Sequence, residues 1–201
     1  MSRMIGLTGN IACGKTSVGN MLLALGAERY IDADAIVHHL YESGQPIAIK
    51  VAQSFGPSVM AADGSVDRNA LGAVVFQDAE AMQRLEHIVH PAVGVALMEA
   101  FSTVSSSGVV VIDAVKLLEG NLKNLCQTRW LVVCPEEQER ARLMTRNQLS
   151  RNEADVRLRA QPSRTNALAL VDEVIDNGGS LDETYSQVKA AFDRFCKEFP
   201  A

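Results

Sequence analysis

Gly9-Asn10-Ile11-Ala12-Cys13-Gly14-Lys15-Thr16 fits the pattern G-x-x-x-x-G-K-[ST]. Each residue type has a use there. The glycines allow backbone geometry and close approach that a side chain would forbid, and the backbone N–H groups between them can surround a phosphate. Lys15 would bridge the β- and γ-phosphates of ATP, and the Thr16 hydroxyl would ligate Mg²⁺. Such a loop has to follow a strand and open a helix. Residues 3–8 are a short apolar run, and Val18, Met21, Leu22 and Leu25 recur at helical spacing over residues 15–25. Gly9 to Thr16, with Ser17 in the same helical turn, are therefore the expected nucleotide-binding set. Cys13 inside the loop admits a redox reading, because helix N-termini stabilise thiolates, or is simply a small loop residue.

Working outward, strands are expected at Ala27–Ile31, Gly108–Ile112, Trp130–Cys134 and Val171–Ile175. With residues 3–8 they make five, separated by helical stretches, which implies right-handed crossovers and a doubly wound parallel α/β sheet. The core is expected to comprise 1–34, 105–134 and 167–201 of a single domain over 1–201. Residues 35–104 are too long for a loop and carry helical pattern from Pro46 to Val104, so a helical substrate-side insertion is expected there. Residues 135–166 are charged and helical with few large apolar side chains, the pattern of a mobile lid. Ser102–Gly108 reads as a linker.

The chain has 201 residues, 47% of them apolar and 21% charged, and a formal net charge of −5. That is a globular composition whose acidity argues against a nucleic-acid partner. Arg140, Arg142, Arg146, Arg151, Arg157, Arg159 and Arg164 nevertheless crowd one stretch, which suits a small phosphorylated ligand. Four scattered cysteines lack the spacing of a zinc site or a disulfide scaffold. The opening residues lack the pattern of a signal peptide, and no stretch reaches membrane-spanning length, so no membrane partner and a cytoplasmic location are expected.

Ligands bind open parallel sheets at the carboxyl ends of the strands, where Tyr30-Ile31-Asp32-Ala33-Asp34 places two carboxylates. Either Asp32 or Asp34 can take the proton of an attacking hydroxyl, help hold Mg²⁺, or cap the following helix. Asp113, ending the third expected strand, is a candidate for metal or water ordering, or a turn residue. His87 and His90 stand at helical spacing but lack an acidic third ligand, which disfavours a metal pair.

The chain resembles the dephospho-CoA kinase family nearly end to end. The resemblance is carried by Ile5-Gly6-Leu7-Thr8-Gly9 with its loop, Ile31-Asp32-Ala33-Asp34, Phe55-Gly56, Asp67-Arg68 with Leu71, and His90-Pro91. It continues through Asp113 with Leu117 and Glu119, Gln138, Arg142, Arg146, Gln161 and Asp172-Glu173-Val174-Ile175-Asp176-Asn177. The resemblance implies phosphorylation of the ribose 3′-hydroxyl of 3′-dephospho-CoA. It implies Asp34 as general base, Asp32 in support of the base or the metal, Arg146 as a lid arginine on the transferring phosphoryl, and Arg142 on the nucleotide. It also implies Asn177 in the adenine pocket, and Arg68, His90 and Asp113 on the acceptor side. An Asn before Gly178-Gly179 is otherwise an ordinary turn residue.

Two stretches depart from the family pattern. Val115-Lys116-Leu117 stands where Pro-Leu-Leu is usual, and His38-His39 replaces basic or small residues; both touch the acceptor side. Another small kinase of the same loop type, acting on a nucleoside monophosphate or a small alcohol, is the alternative enzyme, since fold and loop do not specify the acceptor. A nucleotide-dependent switch is the alternative of another class, disfavoured by the arginine-rich lid.

Overall fold

The computed structural model describes residues 3–201, leaving Met1 and Ser2 of the expected core outside the described residues. The chain divides into two compact units, Met1–Asp32 with Thr103–Ala201, and Ala33–Ser102.

The first unit is built on a five-stranded, all-parallel sheet of β1 (Arg3–Thr8), β2 (Arg29–Asp32), β3 (Val109–Asp113), β4 (Thr128–Val133) and β5 (Glu173–Asp176), in the order β2-β3-β1-β4-β5. Every residue of β3 is buried, which is why Val-Val-Val-Ile-Asp reads as an unbroken apolar run rather than an alternation. On one face, Ile5, Leu7, Val109, Val111, Trp130 and Val132 meet α1 (Lys15–Ala24) and α9 (Leu181–Glu198). The helices contribute Val18 and Leu22 from α1 and Val188, Phe192 and Phe195 from α9. On the other face Leu117 and Cys126 crowd so closely over Gly6 that a Cβ there would lie 2.7 Å from Leu117.

Strand boundaries differ from the sequence expectation by a residue or two. β2 extends to Asp32 because Asp32 pairs in register with Asp113 on β3. β4 begins at Thr128, whose hydroxyl accepts from Trp130 Nε1 at 3.1 Å, and Cys134 lies beyond the strand. β5 runs from Glu173, its start tied by Asp172 to the Arg129 guanidinium.

After β4 come α6 (Glu136–Asn147), α7 (Arg151–Arg159) and the short α8 (Arg164–Leu168). This charged stretch is better anchored than its composition suggested. Leu143, Ala154 and Leu158 form a small buried cluster against Ile11 and Ala12 of the glycine-rich loop. Around it Arg140 bridges Glu136 at 2.6 Å and Asp155 at 2.5 Å, and Arg164 meets the fully buried Glu139 at 2.9 Å. α7 and α9 each open with a capping box, Ser150 with Glu153 and Ser180 with Glu183.

The second unit is helical: α2 (Ala33–Leu40), α3 (Pro46–Phe55), α4 (Arg68–Val75) and the long α5 (Ala79–Ser102). Its own core contains Tyr41, Ile47, Val51, Val59, Leu71, Val75 and Val89. Asp67 caps α4, accepting from Asn69 N at 2.9 Å and Ala70 N at 3.1 Å. Asp34 does not lie on a strand end as its spacing suggested; β2 stops at Asp32, and Asp34 is in the first turn of α2, exposed.

Candidate active site

The centre of the first unit is the turn from Gly9 to Gly14 between β1 and α1. β1 lies between β3 and β4, so this turn emerges at the carboxyl edge where the chain's crossovers diverge to opposite sides. α1 differs from the other capped helices of this unit. Its N-cap is Gly14, with no side-chain cap and no acidic residue in its first turn, so its first N–H groups and partial positive charge are left for an anion. Gly14 sits at φ +103°, and a Cβ there would lie 1.9 Å from Asn177 Nδ2. Any side chain at that position would therefore meet both backbone strain and a collision. Ala12 also takes the left-handed conformation, at φ 63°, which a non-glycine residue adopts at a cost of roughly 1 kcal/mol or more.

Neighbouring elements hold that turn in place. Asn177, at the end of β5 and 95% buried, donates from Nδ2 to the Cys13 carbonyl at 2.8 Å, and its Oδ1 accepts from Thr184 of α9 at 3.2 Å. Arg142 of α6 reaches the Ala12 and Cys13 carbonyls, each at 3.3 Å, and is steadied by Gln138 at 3.1 Å. Gln161 accepts from Ile11 N at 3.0 Å. Thus the two glutamines noted for their family resemblance act on the loop or on its arginine. The side chain of Asn177 binds the loop.

Lys15 has a largely buried side chain, its ammonium 3.0 Å from the Gly9 carbonyl and 3.9 Å from Asp113 Oδ1. Asp113 is 3% exposed at the end of β3 and accepts from Tyr30 OH on β2 at 2.5 Å. The Thr16 side chain stands beside the same phenol. Tyr30 was not singled out from the sequence; its one available signal was its place two residues before Asp32, on the same face of an extended strand. Burial pushes the Cys13 thiol up to about 12, with Lys15 opposing the shift only in part. A reactive thiolate is therefore excluded at neutral pH, and Cys13 is a packed loop residue.

The remaining candidates lie on other elements. Arg146, one turn beyond Arg142, is exposed, and its Nε donates to Asn147 at 3.2 Å. Arg68 opens α4 and His90 lies in α5, both exposed in the second unit with Asp34. No helix among the described residues is long and apolar enough to cross a membrane.

A parallel sheet carrying a glycine-rich loop, with Lys15 and Thr16 opening the next helix and a strand-end carboxylate beside the lysine, defines a P-loop kinase. The dephospho-CoA kinase family model matches residues 3–183. The dephospho-CoA kinase of Symbiobacterium thermophilum is 43% identical over 196 residues, covering 96% of this chain and 82% of that one. That of Carboxydothermus hydrogenoformans is 40% identical over 187 residues, covering 92% and 90%. A crystal structure of a Thermus thermophilus protein superposes with a TM-score of 0.80 at 30% identity, over 100% of this chain and 99% of that one. The chain belongs to the dephospho-CoA kinase family.

Proposed function

We infer that this protein transfers the γ-phosphoryl group of ATP to the ribose 3′-hydroxyl of 3′-dephospho-CoA, giving coenzyme A and ADP. The observation that carries the reading is the family match over residues 3–183, which includes both the loop and the acceptor-side segments. In the reaction the bond from the γ-phosphorus to the β,γ-bridging oxygen breaks, and a bond to the 3′-oxygen forms. The hydroxyl proton passes to a carboxylate, which we assign to Asp34, with Asp32 in support.

The rest of the assignment follows from charge. Lys15 and the N-terminus of α1 meet the β- and γ-phosphates, and the N–H groups and ammonium do so without reorganising as charge moves toward the leaving oxygen. Arg142 is assigned to the nucleotide side and Arg146 to the transferring phosphoryl, with residues 135–166 as a lid. Arg68 and His90 are assigned to the acceptor, held by the helical segment 35–104. The hydroxyl of Thr16 and the carboxylate of Asp113 are hard oxygen donors beside the loop and fit Mg²⁺, which supplies neutralisation of phosphate charge when bound. An acidic chain with four free cysteines suits the cytoplasm.

The test is ADP release with Mg²⁺ and ATP across a panel of acceptors: 3′-dephospho-CoA, nucleoside monophosphates, shikimate and gluconate. Turnover with 3′-dephospho-CoA at least a hundredfold above the others is expected. Faster turnover with another acceptor would overturn the substrate, and ADP release independent of any acceptor would favour a switch or an ATPase.

A further inference from the structure

Tyr30 lies where three elements of the loop's surroundings meet. Its hydroxyl donates to Asp113 Oδ2 at the end of β3 at 2.5 Å, and the Thr16 side chain in the first turn of α1 stands beside it. Its ring rests on α1 at Gly19, where a Cβ would come within 2.2 Å of Tyr30 Cε2. Thr16 and Gly19 are three apart and so share one helical face, which here faces the phenol. The register that pairs Asp32 with Asp113 brings the β2 and β3 ends together and sets Tyr30 opposite Val111. Asp113 itself is 3% exposed, with its other oxygen, Oδ1, 3.9 Å from the Lys15 ammonium.

We propose that Tyr30 is a positioning residue for the metal-binding side of this site: its phenol fixes both the Asp113 carboxylate and the Thr16 hydroxyl, the two oxygen donors that would hold Mg²⁺. The proposal rests on the Mg²⁺-dependent kinase reading above. With one carboxylate oxygen engaged by the phenol, the rotation of Asp113 is restricted, and Oδ1 is directed toward Lys15 and the phosphate loop. Groups that orient a ligand carboxylate in this way commonly change metal affinity by about 10- to 100-fold when removed.

Tyr30→Phe keeps the ring over Gly19 and removes only the hydroxyl. Binding of adenylyl imidodiphosphate is measured by titration calorimetry, once with excess Mg²⁺ and once with EDTA. In the wild type Mg²⁺ tightens binding; in Tyr30→Phe that tightening should shrink by about tenfold while the metal-free affinity changes by less than about twofold. A merely structural role predicts instead that both affinities fall together, or that only the melting temperature moves; either result would overturn the proposal. Asp113→Asn should show a loss of the same kind, and adding Tyr30→Phe to it should cost little more. A further full tenfold loss in the double variant would mean that Tyr30 does not act through Asp113. A wild type whose binding Mg²⁺ does not tighten also overturns the proposal. Failure of the acceptor assignment is seen separately, in the panel assay, and leaves this binding experiment intact.

Discussion

Replacing Asn177 by Ala separates two accounts of that residue, an adenine contact and a brace for the phosphate loop. The side chain is 95% buried and spends its amide on the Cys13 carbonyl at 2.8 Å and its oxygen on the Thr184 hydroxyl at 3.2 Å. Thr184 keeps a second partner, Ser180 O at 3.1 Å, so the main loss is one buried hydrogen bond, plus the space left under Gly14. A lost buried bond of this kind costs about 2 kcal/mol. For a chain of this size that is a fall in melting temperature of about 4 to 8 °C. Because the loosened element is the loop, ADP and inorganic tripolyphosphate should both bind about tenfold more weakly, a change of about 1.4 kcal/mol. Calorimetric titration of the two ligands and a thermal melt provide the readouts. If ADP weakened while tripolyphosphate and the melting temperature stayed at wild-type values, the brace would be refuted and Asn177 would belong to the base.

Two further outcomes follow from the same surroundings. With its thiol near 12, Cys13 should be alkylated by iodoacetamide at pH 8 about a thousandfold more slowly than an ordinary cysteine, by peptide mass analysis, and unfolding in urea should abolish the difference. Asp172 accepts three hydrogen bonds from Arg129, which hold its carboxyl below the ordinary value. A depressed folded-state pKa gives stability that is present above the unfolded value and lost as pH falls through the folded one. Urea unfolding should therefore show Asp172→Asn less stable than wild type at pH 7, with the gap narrowing from about pH 5 toward pH 3.

The central sheet was legible because an apolar run leads into a loop whose residue types have one use, and β3 and β4 carry β-branched runs later in the chain. Strand ends were harder. Asp32 is in β2 only because Asp113 faces it across the ladder, a pairing that local composition does not encode. Asp34 was placed on a strand end because two carboxylates two apart look alike in sequence, whereas the backbone turns helical between them. The anchorage of residues 135–166 was underestimated because Glu139 and Arg140 count as charged in any composition, yet both are buried, paired with Arg164 and Asp155. Tyr30 and Thr184 escaped notice for a related reason. What they do depends on contacts across 83 residues to Asp113 and across 7 to an asparagine that itself reaches back 164 residues to the loop.

The phosphoryl group is expected on one particular oxygen of the acceptor, that of the ribose 3′-hydroxyl. The enzyme is given ATP, Mg²⁺ and 3′-dephospho-CoA, and the position of the new phosphate is read by ³¹P–¹H correlation on the purified product, alongside Asp34→Asn under the same conditions. A phosphorus coupled to the ribose H3′ is expected, with a yield about two orders of magnitude lower for Asp34→Asn, the usual scale for loss of a general base. A phosphate on any other position, or unchanged product formation by Asp34→Asn, would contradict this reading.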